Sequence, residues 1–339
     1  MRPALVKESL ITMIKANRPV MLHGSPGVGK SDVIRQVADE LNVKLIDIRL
    51  SQLDPVDLRG IPSVTAGKTI WNQPSFLPVD GEGILFLDEI NSAPQAVQAA
   101  AYQLVLDRRL GEYELPKGWR VMAAGNRTTD RAIVNQMSTA LKNRFAHVNY
   151  DVNNDDWCDW AIKTNLPIEV IGFIRFRPTM LNEFEQRNNS KEEKDRVAKI
   201  KDLNSFATPR SWASLAAVLS TEPKEDVEYE LYSGIVGETA ATEFMGYLKY
   251  YRDLPDLDAL LMNPEKAPVP ESPAVLYALA TGLATKASED SMERLMIYTD
   301  RMPLEFQTLL VKDALARDPK ITKTKPFISW MTKNAKVLY

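Results

Sequence analysis

The sequence predicts an α/β fold in which buried parallel strands alternate with helices, followed by a region that is helical throughout. Three observations predict it. A strand-length apolar run, Pro19-Val20-Met21-Leu22-His23, leads into the turn Gly24-Ser25-Pro26-Gly27-Val28-Gly29-Lys30-Ser31, and then into a helical stripe of Val33, Ile34, Val37, Ala38 and Leu41. A second run, Ile84-Leu85-Phe86-Leu87, is apolar at consecutive positions, the pattern of a strand buried on both faces, and it ends in Asp88-Glu89. Beyond Asp151 no further buried-strand pattern occurs, and apolar residues recur at helical spacing.

In order along the chain, residues 3–16 pair Leu5 with Val6, Ser9 with Leu10 and Met13 with Ile14, an amphipathic helix before the first strand. Residues 44–48 form a second strand. Residues 61–64 and 69–71 flank a turn at Ala66-Gly67 and read as a short hairpin. Its Trp71 has two readings, an exposed working aromatic or a ring packed under the hairpin, and the second is the commoner fate of a Trp. Residues 92–107 give a helix with Pro94 near its start and Val97, Ala101, Leu104 and Val105 as its buried stripe. Residues 108–116 alternate like an exposed hairpin. Residues 120–124 are another strand, ending at Gly125-Asn126. Met137, Leu141 and Phe145 mark a helix with Arg144 at its end, and residues 146–150 a fifth strand.

The second half contains helical segments around Trp157 and Trp160, at residues 168–176, and from Thr208-Pro209-Arg210 through Trp212, Leu215, Ala216 and Leu219. Thr208 is a good N-cap and Pro209 a good first helical residue. The charge-rich run 191–201 reads as a solvated helix or loop. Residues 263–273 carry four prolines, a linker or rigid bend, and two or three helices follow. The expected domains are 1–151, 152–262 and 263–339.

With 339 residues, 45% hydrophobic and 26% charged, the composition is that of a globular chain of two or three domains. A net charge of −3 gives no global signature of nucleic-acid or anionic-membrane binding, while leaving room for a local basic channel. Cys158 is the only cysteine, which removes any intrachain disulfide and points to a reducing compartment; it reads as a small core residue. No apolar run reaches the ~18 to 20 residues of a membrane span. The longest candidate, 274–284, is shorter and contains Thr281 and Gly282. The N-terminus lacks an apolar signal core, so the expectation is a soluble, cytoplasmic protein.

The chemistry is carried by the first two stretches. Gly24, Gly29, Lys30 and Ser31 stand at the spacing of a phosphate-binding loop. Its glycines let backbone N–H groups turn inward, and the helix N-terminus adds partial positive charge. In such a loop Lys30 reaches the β and γ phosphates and the Ser31 hydroxyl joins a magnesium ion. A buried strand that delivers Asp88 then Glu89 to its C-terminal end is where open α/β sheets place their chemistry. Asp88 suits the metal, and Glu89 suits polarising an attacking water. Asn126 joins them if its strand lies beside the Asp88 strand; otherwise it is a turn former. Arg210 is a cation in a helix's first turn, opposing the dipole by about 0.3 to 1 kcal/mol, a sign that a nearby phosphate would reverse. His23 and His147 both fall on strands and read as structural.

Taken together, GSPGVGKS at 24–31, ILFLDE at 84–89, AAGN at 123–126, NRF at 143–145 and TPRS at 208–211 resemble an AAA+ ATPase, most nearly the MoxR-like, dynein-related branch. The resemblance covers residues 1–220. It implies a P-loop NTPase core with a five-stranded parallel sheet and a helical lid, and a ring, usually hexameric, with ATP at subunit interfaces. Carried over residue by residue, it makes Gly24, Ser25, Pro26, Gly27, Val28, Gly29, Lys30 and Ser31 the Walker A loop, and Asp88 and Glu89 the Walker B metal and catalytic positions. Asn126 becomes sensor 1, Arg144 the arginine finger and Arg210 sensor 2. Arg127 and Arg131 compete with Arg144 for the finger. Residues 57–76 match a hairpin facing the pore or a client. The activity implied is ATP hydrolysis that remodels or matures a partner protein, often one with a von Willebrand factor A domain. The alternatives are a nucleic-acid or restriction-type motor and a metal-chelatase motor subunit.

Overall fold

The computed structural model describes residues 1–127, 135, 137–183 and 204–334. The chain forms two compact units, Met1–Asn153 and Asn154–Tyr339. The first contains α1 (Pro3–Lys15), β1 (Val20–His23), α2 (Lys30–Leu41), β2 (Lys44–Arg49), α3 (Pro55–Arg59), β3 (Ile61–Thr65), β4 (Lys68–Asn72), β5 (Glu82–Asp88), α4 (Gln95–Asp107), β6 (Arg109–Leu110), β7 (Tyr113–Glu114), β8 (Gly118–Gly125), α5 (Thr139–Lys142) and β9 (Ala146–Asn149).

Five strands make one sheet in the order β2-β5-β8-β1-β9, and every pair in it is parallel. The expected five-stranded parallel sheet is therefore what this unit is built on. The unbroken apolar run of β5 has a direct cause. Leu85 and Leu87 pack on one face with Val97, Ala101 and Leu104 of α4. Ile84 and Phe86 pack on the other with Val6 and Leu10 of α1 and Val33, Ile34 and Val37 of α2. All four β5 side chains are fully buried, each contributing about 1.5 to 3 kcal/mol by removal from water. The register aligns His23 with Gly125 and Arg49 with Asp88. The loops after β1, β5 and β8 thus leave the same edge of the sheet, the C-terminal edge where parallel sheets gather their ligands.

Three local expectations differ from the structure. The helix around Leu141 spans only Thr139–Lys142, because Ser138 caps its start and the chain turns at Asn143; Met137 and Phe145 lie outside it yet are buried. The 109–114 hairpin is not exposed: Leu110 and Tyr113 turn one face of it into the core. Trp71 does not pack under its hairpin. It is 41% exposed, and Ile61, Val64 and Ile70 of the same β3–β4 ribbon are exposed with it.

The second unit contains α6 (Asn154–Lys163), α7 (Ile168–Phe176), α8 (Pro209–Leu219), α9 (Glu225–Val236), α10 (Glu238–Arg252), α11 (Leu257–Met262), α12 (Pro273–Ala284), α13 (Met292–Thr299), α14 (Leu304–Arg317) and α15 (Lys325–Asn334), with no strand among its described residues. Its centre is α12, where every residue from Ala278 to Ala284 is buried. Helix α12 packs against both α7 and α14. A buried ion pair, Arg175 to Asp313 at 2.6 Å, also joins α7 to α14. Phe173, Trp212, Phe244 and Tyr247 form an aromatic cluster between α7, α8 and α10, with Phe173 and Trp212 tilted and the other pairs edge-to-face. Cys158 is buried in α6, and burial pushes its thiol up to about 11, so it is an inert core residue at neutral pH. Among the described residues no helix is long and apolar enough to cross a membrane. The charge run 191–201 and Arg131 lie outside the described residues.

Candidate nucleotide site

The loop Gly24 to Gly29 bridges β1 and α2 at the C-terminal edge of the sheet. Gly27 and Gly29 hold left-handed φ values of 74° and 97°, which a side chain would strain. Gly29 is also the N-cap of α2, so the loop's last turn sets the positive N-terminal end of the helix dipole at the loop. Ser25 and Val28 are buried and Pro26 half-buried, which seats the loop on the sheet.

Lys30, the first residue of α2, is buried along its stem. Its Nζ donates to the carbonyl oxygens of Gly24 at 2.8 Å and Ser25 at 3.0 Å, and to Oδ1 of Asn126 at 3.2 Å. The last contact exists because β8 lies beside β1 and β5, the condition on which the Asn126 reading depended. The Ser31 hydroxyl donates to Oδ2 of Asp88 at 2.8 Å, joining α2 to the end of β5. The other Asp88 oxygen accepts the Glu89 backbone N–H at 2.8 Å. Glu89 takes φ +55°, rare for a side chain of its kind, and this kink swings it out of the strand direction. Its carboxylate accepts a short hydrogen bond from the Ser51 hydroxyl, just after β2. Carboxylates crowd this edge: Asp47 of β2 is pushed up by burial first and by Asp88 next.

Two contacts that sequence reasoning missed hold the Asn126 backbone and the loop. Asn91 Nδ2 donates to the Asn126 carbonyl at 2.7 Å, and a Cβ on Gly125 would come within 2.2 Å of Asn91 Oδ1. Gly125 is thus glycine because Asn91 occupies its side-chain space. Arg127 donates to the Tyr150 carbonyl at 2.9 Å and to Asp151 at 2.6 Å, and the Tyr150 N–H donates to the His23 carbonyl at 2.7 Å. Ser51, Asn91 and Tyr150 carry no local signature. The available hint was a buried-type position, directly after a strand or between Ile90 and Ala93, filled by a polar residue.

Two further arginines were singled out by the sequence. Arg144 is exposed and follows α5, just before β9. Because Ala146 pairs with Val20, the start of β9 lies level with the start of β1. Arg144 therefore sits toward the N-terminal edge of the sheet, opposite the loop. Arg210 belongs to the second unit. It is exposed at the second position of α8, whose N-cap Thr208 accepts from Ser211 N–H at 3.1 Å in a reciprocal capping box.

Residues 19–145 match the family described as AAA domain, dynein-related subfamily. Over 186 residues the chain is 27% identical to midasin of Giardia intestinalis, a match that covers 51% of this chain and 4% of midasin. Over 185 residues it is 31% identical to midasin of Dictyostelium discoideum, covering 49% and 3%. The chain therefore spans a small part of the relatives it matches. Solved structures with a partial likeness include a putative ATPase from Cytophaga hutchinsonii, with TM-score 0.34, 15% identity and coverage of 92% and 79%. The RuvB Holliday junction branch migration motor of Thermotoga maritima has TM-score 0.38, 17% identity and coverage of 88% and 87%. The phosphate-loop and strand-end geometry of Lys30, Ser31, Asp88 and Asn126 thus lies within the span that matches the AAA domain, dynein-related subfamily.

Proposed function

We propose that the chain is an ATP-driven ring motor, of the MoxR-like kind within the AAA+ class, which remodels or activates a partner protein. The observation that carries the reading is the placement of its charged groups. Lys30, Ser31, Asp88, Glu89 and Asn126 converge at one edge of the sheet, while Arg144 stands exposed toward the other.

In this reading the substrate's β and γ phosphates lie over the loop residues 24–29. Lys30 exchanges neutral carbonyl partners for phosphate oxygens, which are stronger acceptors for a charged donor. Ser31 and Asp88 present a hydroxyl and a carboxylate oxygen 2.8 Å apart, a hard oxygen pair suited to magnesium, and the carboxylate crowding around Asp47 favours a cation there. Bound magnesium supplies charge neutralisation on the phosphates. Glu89 takes the proton from the attacking water, and Asn126 orients that water. Arg144 serves a neighbouring copy, because it lies away from its own loop, whereas Arg127 is engaged within its own subunit by Tyr150 and Asp151. Arg210, exposed in the first turn of α8, is the sensor 2 of this reading. The exposed ribbon of Ile61, Val64, Ile70 and Trp71 is apolar, which favours a protein client over nucleic acid. A client or co-factor protein with a von Willebrand factor A domain and a hexameric ring in the cytoplasm complete the reading.

The test is turnover by Glu89→Gln. Binding of fluorescent ATP stays within about twofold of wild type while hydrolysis falls at least 100-fold, the size of a lost general base. Hydrolysis within threefold of wild type rejects Glu89 as the base. Stimulation of wild-type turnover by single- or double-stranded DNA, falling steeply with salt, would replace the protein client with nucleic acid.

A further inference from the structure

The site chemistry leaves two histidines unused, and they occupy a telling position. His23 is the last residue of β1, directly before Gly24, and His147 lies on the neighbouring edge strand β9. Met21 pairs with His147 in register, so His23 and His147 project from the same face, one step apart along the strands. Their rings lie 21° from parallel with centroids 5.1 Å apart, and His23 Nε2 is 2.8 Å from His147 Nδ1. His147 Nε2 is in turn 2.8 Å from the Lys142 carbonyl oxygen.

The hydrogen-bond chemistry gives this chain a direction. A carbonyl only accepts, so His147 Nε2 carries the proton and donates to Lys142. That leaves His147 Nδ1 as an acceptor, and His23 Nε2–H donates to it. Burial foremost, then His147, Arg127, Lys30 and Lys142, hold His23 down at about 4, so His23 itself stays neutral at neutral and mildly acid pH. One end of the chain is anchored in the phosphate loop: the His23 carbonyl receives the Tyr150 N–H, and the next carbonyl, Gly24, receives Lys30 Nζ. The other end is Lys142, the last residue of α5, two residues before Arg144. Lys142 O also accepts the Phe145 N–H at 3.3 Å, so the turn that carries Arg144 closes on the same oxygen.

We propose that His23 and His147 form a positioning strut, which carries the state of a subunit's own phosphate loop to the turn holding its own Arg144. Nucleotide that draws Lys30 off the Gly24 carbonyl shifts Gly24 and His23, and the strut passes the shift down the sheet to Lys142. A coupling of this kind needs a physical link biased at both ends. The strut supplies one between the loop edge and the Arg144 edge. Its meaning for catalysis rests on the reading of Arg144 as a finger for the next subunit, but the coupling itself does not.

Hydrogen–deuterium exchange of residues 139–146 tests the coupling without any ring. The background is Glu89→Gln, which holds ATP unhydrolysed, and direct binding of fluorescent ATP is measured for each variant. With both histidines present, ATP changes exchange in 139–146 at least threefold. In His23→Leu, which keeps bulk but has no donor, the change falls below 1.5-fold although ATP still binds. In His23→Gln, whose amide N–H can replace Nε2–H, the change returns. His147→Phe, which leaves the loop sequence intact, repeats the loss and serves as the test if His23→Leu fails to fold or bind. An equal ATP-dependent change with and without the strut overturns the proposal, as does no change in the parent. Failure of the parent to bind ATP overturns the nucleotide-site reading instead.

Discussion

At the scale of single residues, the site is organised by side chains that restrain one another. Glu89 leaves β5 through a left-handed kink and is met by the Ser51 hydroxyl. That hydrogen bond occupies one carboxylate oxygen and turns the group away from other partners. Ser51→Ala frees Glu89, and basal ATP turnover without client rises two- to fivefold; a fall in turnover would show that Ser51 aims the carboxylate rather than restrains it. His23 gives a pH signature of its own. Its folded value is lowered from 6.5 to about 4, so between those values the unfolded chain binds the extra proton first. Stability is therefore complete above about pH 6.5, declines as pH falls through the window, and levels off below about 4. Replacing the titratable ring by His23→Gln flattens the melting temperature between pH 6.5 and 4.5 relative to wild type. An unchanged slope would assign the acid sensitivity to other groups.

At the scale of elements, legibility in the sequence followed how local the physics was. The phosphate loop, β5 and α8 were legible because each is written in consecutive residues: a glycine turn before a helix, four apolar residues before two acids, a Thr-Pro start. Thr208 does cap α8, and Thr208→Ala costs about 1 kcal/mol of stability in thermal or denaturant unfolding. The hairpin 109–114 misled because two-residue strands are too short for alternation to reveal which side meets the core. Trp71 misled for a different reason. A large aromatic is buried on average, yet among the described residues no second layer covers the β3–β4 ribbon, and its four large apolar side chains are all exposed. Ser51, Asn91 and the His23–His147 pair were illegible because each gains its meaning from a strand distant in sequence. Trp71→Ser accordingly leaves the melting temperature within about 1 °C, since an exposed change moves stability by less than about 0.5 kcal/mol. If the ribbon engages the client, that same substitution lowers client-stimulated turnover severalfold while basal turnover holds.

At the scale of the whole molecule, the division of labour between the two edges of the sheet makes a demand on assembly. A phosphate loop, two carboxylates and Asn126 sit at the C-terminal edge, and Arg144 stands exposed toward the N-terminal edge. A finger arginine is worth about 10³ to 10⁵ in turnover in other NTPases, so a subunit that presents its arginine away from its own site gains that factor only from a neighbour. Two inactive variants then complement each other. Arg144→Ala keeps an intact loop and base but offers no finger, while Glu89→Gln offers the finger but has no base. Each alone turns over at least 100-fold more slowly than wild type. In an equal, random mixture half the subunits hold an intact site, and half of those face an intact Arg144, so turnover recovers to about a quarter of wild type if sites fire independently. Co-purification of untagged Glu89→Gln with affinity-tagged Arg144→Ala confirms that mixed assemblies have formed before turnover is read. Mixed assemblies with no recovery would mean that Arg144 acts in its own subunit or not at all, and would return the finger to Arg127 or Arg131. Recovery well above a quarter would mean that an ATP-locked neighbour speeds the sites it faces, which is the direction of coupling that a strut from the phosphate loop to the Arg144 turn would provide.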